Sequence, residues 1–164
     1  MIKTQRKSLA PCYFAIAVIS MLGACLLPRP AAADPTDLTA AVTLGAKTAS
    51  TDGTPDTIRA TFTVTNPTSS PIKFAVGGLS VVWLILDAQD STVYDSRTGK
   101  MAPHILILRI LPAGGHMDFP ATVPLRDQSG NPLAPGTYTL RGQLWARPSL
   151  TASTQFTVPS SPAH

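Results

Sequence analysis

No glutamate occurs anywhere in the 164 residues, and cysteine occurs only twice, as Cys12 and Cys25. Histidine is limited to His104, His116 and His164. Each scarcity removes a class of chemistry. A general base needs an orienting partner and a nucleophile within reach, and no spacing of the few candidates nominates such a set, so no catalytic residue is assigned. No glycine-rich loop sits between a strand and a helix to cradle phosphate, and no cofactor is expected. Both cysteines precede residue 34. The rest of the chain therefore has no disulfide, even in a compartment that permits one, and its stability must come from packing. Roughly 130 residues suffice for that, since domains of this size bury about two thirds of the surface their unfolded chains expose.

Charge is also scarce once it is located. The formal net charge of +4 belongs mostly to the N-terminus. Lys3, Arg6, Lys7 and Arg29 precede residue 34, whereas the nine acidic residues all lie from Asp34 onward; thirteen basic residues less these four leaves nine against nine. A near-neutral body carries no footprint for nucleic acid or an anionic membrane surface.

The N-terminus has the organisation of a secretory signal. Basic residues Lys3 to Lys7 come first, then an apolar stretch from Tyr13 to Leu27, then Pro28, Pro30 and the small triplet Ala31, Ala32 and Ala33. A membrane span needs about 20 apolar residues, and this stretch is shorter. Cleavage after Ala33 is the preferred reading, which leaves an exported, periplasmic or extracellular protein. Leu22, Gly23, Ala24 and Cys25 also form a lipobox-like run. The alternative is thus a lipoprotein attached to a membrane through Cys25. The chain divides into a signal segment over residues 1–33, one β-domain over 34–158 and a tail over 159–164.

Past Asp34 no stretch of ten or more residues keeps helical spacing, and the apolar period becomes two. Ile58, Ala60, Phe62 and Val64 alternate with Thr57, Arg59, Thr61, Thr63 and Thr65. The same alternation runs through Leu38 to Leu44, Met117 to Val123, Tyr138 to Leu144 and Thr154 to Val158. Each pattern describes a strand with one face on a core. Ile72 to Val76, Val81 to Leu86 and Ile105 to Leu111 are apolar on both faces, and Thr92 to Tyr94 suits a short return strand. Turn residues separate these runs, among them Asn66 and Pro67, Gly77 and Gly78, Asp87 to Asp90, Pro112 to Gly115, Asp127 to Asn131, and Pro135 and Gly136. The expectation is an all-β, immunoglobulin-like antiparallel β-sandwich of about eight or nine strands, with a closed barrel as the alternative.

Two aromatic residues fit that fold. Pro135, Gly136, Thr137 and Tyr138 resemble a tyrosine corner, in which the ring hydroxyl bonds back to upstream backbone. Trp83, in the middle of its strand, is placed in the core.

Asp87, Asp90 and Asp95 flank a tight connection and are read as turn residues. Met101, His104, His116 and Met117 supply the ligand types of an exported copper protein. With Pro112 to Gly115 turning a hairpin, however, His104 and His116 stand more than about 20 Å apart. No metal site is assigned. The doubly apolar strands suggest an interaction surface instead. Val82, Leu84, Leu106 and Leu108 are the candidate partner-facing residues, for a protein partner or a second copy, with burial under the chain's own termini as the alternative. Oligomeric state stays open.

The order of landmarks between residues 57 and 146 resembles the BsuPI-type intracellular proteinase inhibitor domain. Those landmarks are Val64, Thr65 and Asn66; then Phe74, Gly78 and Asp87; then Val93, Tyr94, Ser96, Gly99, Lys100 and Met101. Leu111, Pro112 and Gly114 follow, and Pro135, Gly136 and Tyr138 with Leu140, Gly142 and Leu144 close the set. The chain departs from the pattern at Leu79, Val81, Val82, Ala102 and His104. The resemblance implies an immunoglobulin-like fold and a non-catalytic protein that binds a serine proteinase. Arg97 to His104 and Leu125 to Pro135 are the candidate loops for entering a protease cleft, with a Gly, Pro and Asp content that equally suits plain connections. The other function in view is an envelope accessory or interaction domain without inhibitory activity.

Overall fold

The computed structural model describes residues 33–49, 55–101 and 105–160. Residues 1–32 of the signal segment with Cys25, the ligand candidate His104 and the last four residues of the tail lie outside the described residues. A one-turn 3-10 helix, Pro35–Asp37, leads into eight strands: β1 (Thr39–Ala49), β2 (Pro55–Thr65), β3 (Ile72–Leu86), β4 (Thr92–Asp95), β5 (Leu106–Leu111), β6 (His116–Pro124), β7 (Gly136–Arg147) and β8 (Leu150–Val158). Three of them form one antiparallel sheet in the order β1-β2-β6. The other five form a second, in the order β4-β3-β7-β8, with β5 paired to β3. The two sheets pack as the antiparallel sandwich expected from the alternation.

The period-two residues make the core. Ile58, Ala60, Phe62 and Val64 of β2 are buried, and they face Trp83 and Ile85 of β3 and Leu140 and Leu144 of β7. Each large aliphatic or aromatic side chain so buried contributes on the order of 1.5–3 kcal/mol. Trp83 takes its expected core place, edge-on to Phe62 with ring centroids 6.5 Å apart and planes at 84°. Gly142 sits beneath this pair. A Cβ there would lie 2.5 Å from Phe62 Cδ2 and 3.3 Å from Trp83 Cζ3, so the absence of a side chain is what lets β7 approach the rings.

The sequence suggested separate strands Ile72 to Val76 and Val81 to Leu86 with a turn at Gly77 and Gly78. They are one strand. The ladder to β7 shifts between Val76 and Val81, so that Ala146 pairs with Val76 and Leu144 with Val81. Gly77 serves close approach here: a Cβ on it would come within 3.2 Å of the Trp145 carbonyl oxygen. The bulge also changes which parity faces inward. Ile72, Phe74 and Val76 point to the core before it, and Trp83 and Ile85 after it.

The two halves of β3 have different outer neighbours. β5 pairs with Ile72 to Gly77, and β4 with Leu84 to Leu86. Pro112 to Gly115 was expected to close a hairpin, yet β5 and β6 lie in different sheets and the segment crosses between them. Asn66, fully buried, holds that crossing. Its Nδ2 donates to the carbonyls of Ser70 at 2.9 Å, Leu111 at 3.1 Å and Pro112 at 2.9 Å. Its Oδ1 accepts from Thr68 N at 3.0 Å and Thr68 Oγ1 at 2.7 Å, and its own N–H donates to Gly115 O at 2.9 Å. The tyrosine corner forms as expected, with Tyr138 Oη donating to Ala134 O at 2.9 Å and the ring stacked on Phe156.

Candidate interaction surface

Strand β5 reads Leu-Ile-Leu-Arg-Ile-Leu, and only its last residue is buried. Leu111 pairs with Ile72 and faces the core. Alternation then places Arg109 and Ile107 on the core-side row and Leu106, Leu108 and Ile110 on the outer face. Both rows are open, because β5 lies outermost in its sheet. Ile105, Leu106, Ile107, Leu108 and Ile110 are between 42% and 66% exposed.

The outer row continues across the sheet. Leu106 pairs with Gly77, which lies against Trp145, and Leu108 pairs with Ala75, which pairs in turn with Arg147. Trp145 is 45% exposed. Gly77 and Ala75, in the middle of these rows, put little side chain between β5 and the strand that carries Trp145 and Arg147. Trp145 carries a signal that was overlooked in the sequence: it follows Leu144, so an apolar ring falls on the wet parity of an otherwise alternating strand.

Of the four residues nominated from sequence, Leu106 and Leu108 lie on this surface. Val82 does not, being 1% exposed. Its strand is interior, flanked by Gln143 of β7 and by the segment at Ser96, whose N–H reaches Trp83 O. Leu84, between Arg141 and Asp95, is half-buried.

The edges of β4, β6 and β1 are protected. On β4, Val93 O accepts from Gln128 N and Asp95 N donates to Gln128 Oε1, each at 2.9 Å. β6 carries Pro120, Pro124 and Asp118. β1 has a register shift near Lys47, whose Nζ donates to Thr157 O of β8. β8 is mostly threonine, serine and glutamine on its outer parity. Proline, charge, bulges and covering loops are the usual blunting devices. β5 has one such device, Arg109, and among the described residues no strand lies on its free side.

Other nominated chemistry resolves into structure. Asp87 Oδ1 accepts from Gln89 N and Ser91 N, both at 2.9 Å, closing the β3–β4 turn. The hydrogen-bonded Arg97 guanidinium holds the Asp95 carboxyl below its usual range. The loop Leu125 to Pro135 is strapped down at both ends. Leu125 and Leu133 are buried, Arg126 pairs with Asp56 at 2.7 Å, and Asp127 accepts from Ser129 N, Asn131 N and Asn131 Nδ2. That loop is a cover for β4. In the segment from Arg97, Met101 is 96% exposed. Of the soft ligand candidates, His116 faces outward while Met117 packs against the core, because neighbours on a strand point to opposite faces.

A concavity of about 440 Å³ opens between β6 and the β3–β4 edge, with Trp83, Tyr94, Lys100 and Phe119 in its lining. Burial raises the Tyr94 hydroxyl pKa, and the neighbouring Asp95 charge adds to the shift.

No family model matches the chain, and no curated protein matches it. Among solved structures, an X-ray structure of a Northeast Structural Genomics Consortium target aligns over 81% of this chain and 94% of its own, at 13% identity and a TM-score of 0.43. The putative ApaA protein from Bordetella pertussis aligns over 77% of this chain and 96% of its own, at 16% identity and 0.43. A β-glucosidase involved in saponin metabolism from intestinal bacteria aligns over 74% of this chain but 16% of its own, at 20% identity and 0.40. Likenesses this distant carry no argument about function.

Proposed function

We propose that this chain is an exported, non-catalytic protein-binding domain that takes up a strand of another polypeptide along β5. The observation that carries the reading is the edge of β5: a strand apolar on both faces with, among the described residues, no strand on its free side, while the edges of β1, β4 and β6 are blunted. Main-chain bonds to an added strand supply affinity, and its alternate side chains against the apolar rows of β5 supply selectivity. The near-neutral body fits a partner recognised by shape and apolar contact rather than charge.

Export rests on the apolar leader, and the intact mass of the purified protein tests it. A chain beginning at Asp34 is expected; a diacylglyceryl-modified species beginning at Cys25 would instead place the same domain on a membrane leaflet. A photo-reactive residue at position 108, in cells, tests the edge. An adduct at 108 that is absent when the probe sits at exposed Gln155 on β8 supports the reading, and no adduct at 108 removes it.

A second reading, a serine-proteinase inhibitor, draws on the resemblance to BsuPI-type domains and on the projection of Met101 from the Arg97 segment. Inhibitors of this kind rely on a preformed loop. Stoichiometric inhibition of a subtilisin-type proteinase by an uncut chain would favour it; unchanged activity at large molar excess, or steady cleavage of the chain, would set it aside.

A further inference from the structure

We infer that the polypeptide received by β5 is the same strand of a second copy, paired antiparallel with Leu108 facing Leu108 across a two-fold axis. This rests on the reading of β5 as a strand-accepting edge, and adds which strand and which register.

Size, backbone and charge point to the same occupant. Taking on the order of 150–200 Å² for a fully exposed large apolar residue, Leu106, Leu108, Ile110 and Trp145 on the outer face carry roughly 350–450 Å² at their observed exposures, and Ile105 and Ile107 on the opposite row about 150–200 Å² more. The outer face alone lies within the range of about 300–600 Å² for the largest patch of a typical monomer. Both faces and the backbone edge together approach the roughly 800 Å² that each partner contributes to a standard interface. Packing two outer faces together would cover Leu106, Leu108 and Ile110 but leave Ile107 and the backbone edge open. Pairing the edges engages the flanks of both rows and the unmet ladder groups at once, and a two-fold axis lets one patch complement itself.

Arg109 selects the register. Only antiparallel registers that pair outer-row residues with outer-row residues keep like faces together. Centring the pair on Arg109 sets two guanidinium groups directly opposite each other, which is unfavourable. Centring it on Ile107 brings Arg109 opposite Ile105 and uses less of the strand. Centring it on Leu108 pairs Leu106 with Ile110, Leu108 with itself, and Ile107 with Arg109, so five consecutive residues pair and no like charges meet. Arg109 then works as a register key, tolerated opposite Ile107 and forbidden opposite itself.

The test is sedimentation equilibrium of the protein expressed from the full chain, with circular dichroism to verify that each variant is folded. The parent is expected to be dimeric at about 100 µM and to dissociate on dilution. Leu108→Glu sets like charges face to face and should weaken the dimer at least tenfold. Ile107→Glu adds the same charge one residue away, but opposite the partner copy's Arg109. Its dimer should be at least as tight as the parent's and should weaken with salt. Mixing Leu108→Glu with Leu108→Lys should restore a dimer that neither variant forms alone. Equal weakening by the two glutamates, or no rescue on mixing, overturns the register. A monomeric parent overturns the second copy as occupant, and a cross-link from position 108 to a different polypeptide would then leave the edge reading standing. A monomeric parent with no such cross-link removes both.

Discussion

Replacing Asn66 with alanine is the sharpest test of how the sandwich is held shut at the β5–β6 crossing. The carboxamide makes five hydrogen bonds, to Ser70, Leu111 and Pro112 carbonyls and from two groups of Thr68. The bond to Leu111 O is buried, and the others are partly so. A typical bond contributes about 0.5–1.5 kcal/mol net, and a buried group left without a partner costs about 1–3 kcal/mol. The partly buried carbonyls regain water, so Asn66→Ala should cost roughly 3 kcal/mol, a large part of the ~5–15 kcal/mol that holds an ordinary domain together. For a domain of this size the melting temperature should fall by about 10 °C. Urea titrations of parent and variant, extrapolated linearly, give the difference directly. Asn66→Asp sharpens the test. The new carboxylate would face three carbonyls, so its folded-state pKa must rise above the unfolded value near 3.9. Stability is then present below pH ~4 and lost as pH rises through the raised value, so this variant should be more stable at pH 4 than at pH 7. A cost under about 1 kcal/mol for alanine, or no difference in pH response between the two variants, would refute the account of the crossing.

Gly142→Ala should cost roughly 1–3 kcal/mol, because its Cβ would fall 2.5 Å from the fully buried Phe62 ring, and the urea midpoint reads the loss. Tyr138→Phe removes the bond to Ala134 O while keeping the stack on Phe156, and should cost about 1 kcal/mol in the same assay. The carboxyls of Asp34, Asp95 and Asp127 are held below their ordinary 3.8 mainly by hydrogen bonds from Thr36, Arg97 and Asn131. Groups depressed in the folded state add stability that is full above the unfolded value and disappears as pH falls through the folded one. Unfolding free energy should therefore be flat from pH 7 to about 5 and decline below about 4. Asp127→Asn should make that acid decline shallower; an unchanged acid limb would contradict the assignment.

Most of the sandwich was legible because a half-buried strand writes its period into its residues. Phe62 and Val64 on β2, or Leu140 and Leu144 on β7, announce both strand and face. What stayed hidden depends on contacts remote in sequence. Gly77 and Gly78 read as a turn because their local conformational freedom is visible, whereas the close approach of Trp145 is not. Asn66 read as turn punctuation, since nothing nearby shows that its amide reaches Leu111 and Pro112. The candidate surface divided in the same way. Two-faced apolarity marked β3 and β5 alike, but an inner strand and an outer strand share that composition, and only the pairing order distinguishes buried Val82 from open Leu106 and Leu108. The protection of β4 by Gln128 was likewise invisible, because a covering loop has no periodicity.

The central claim, that β5 is an edge held for another copy of the chain, meets its most direct test in amide hydrogen exchange. Exchange across residues 106–110 is measured at a concentration where the protein is monomeric and again where it is dimeric. The account predicts that protection in β5 rises with concentration, while β8, at the opposite edge of the sheet, does not change. Exchange in β5 that stays fast and independent of concentration while the protein dimerises would place the interface elsewhere and contradict the claim.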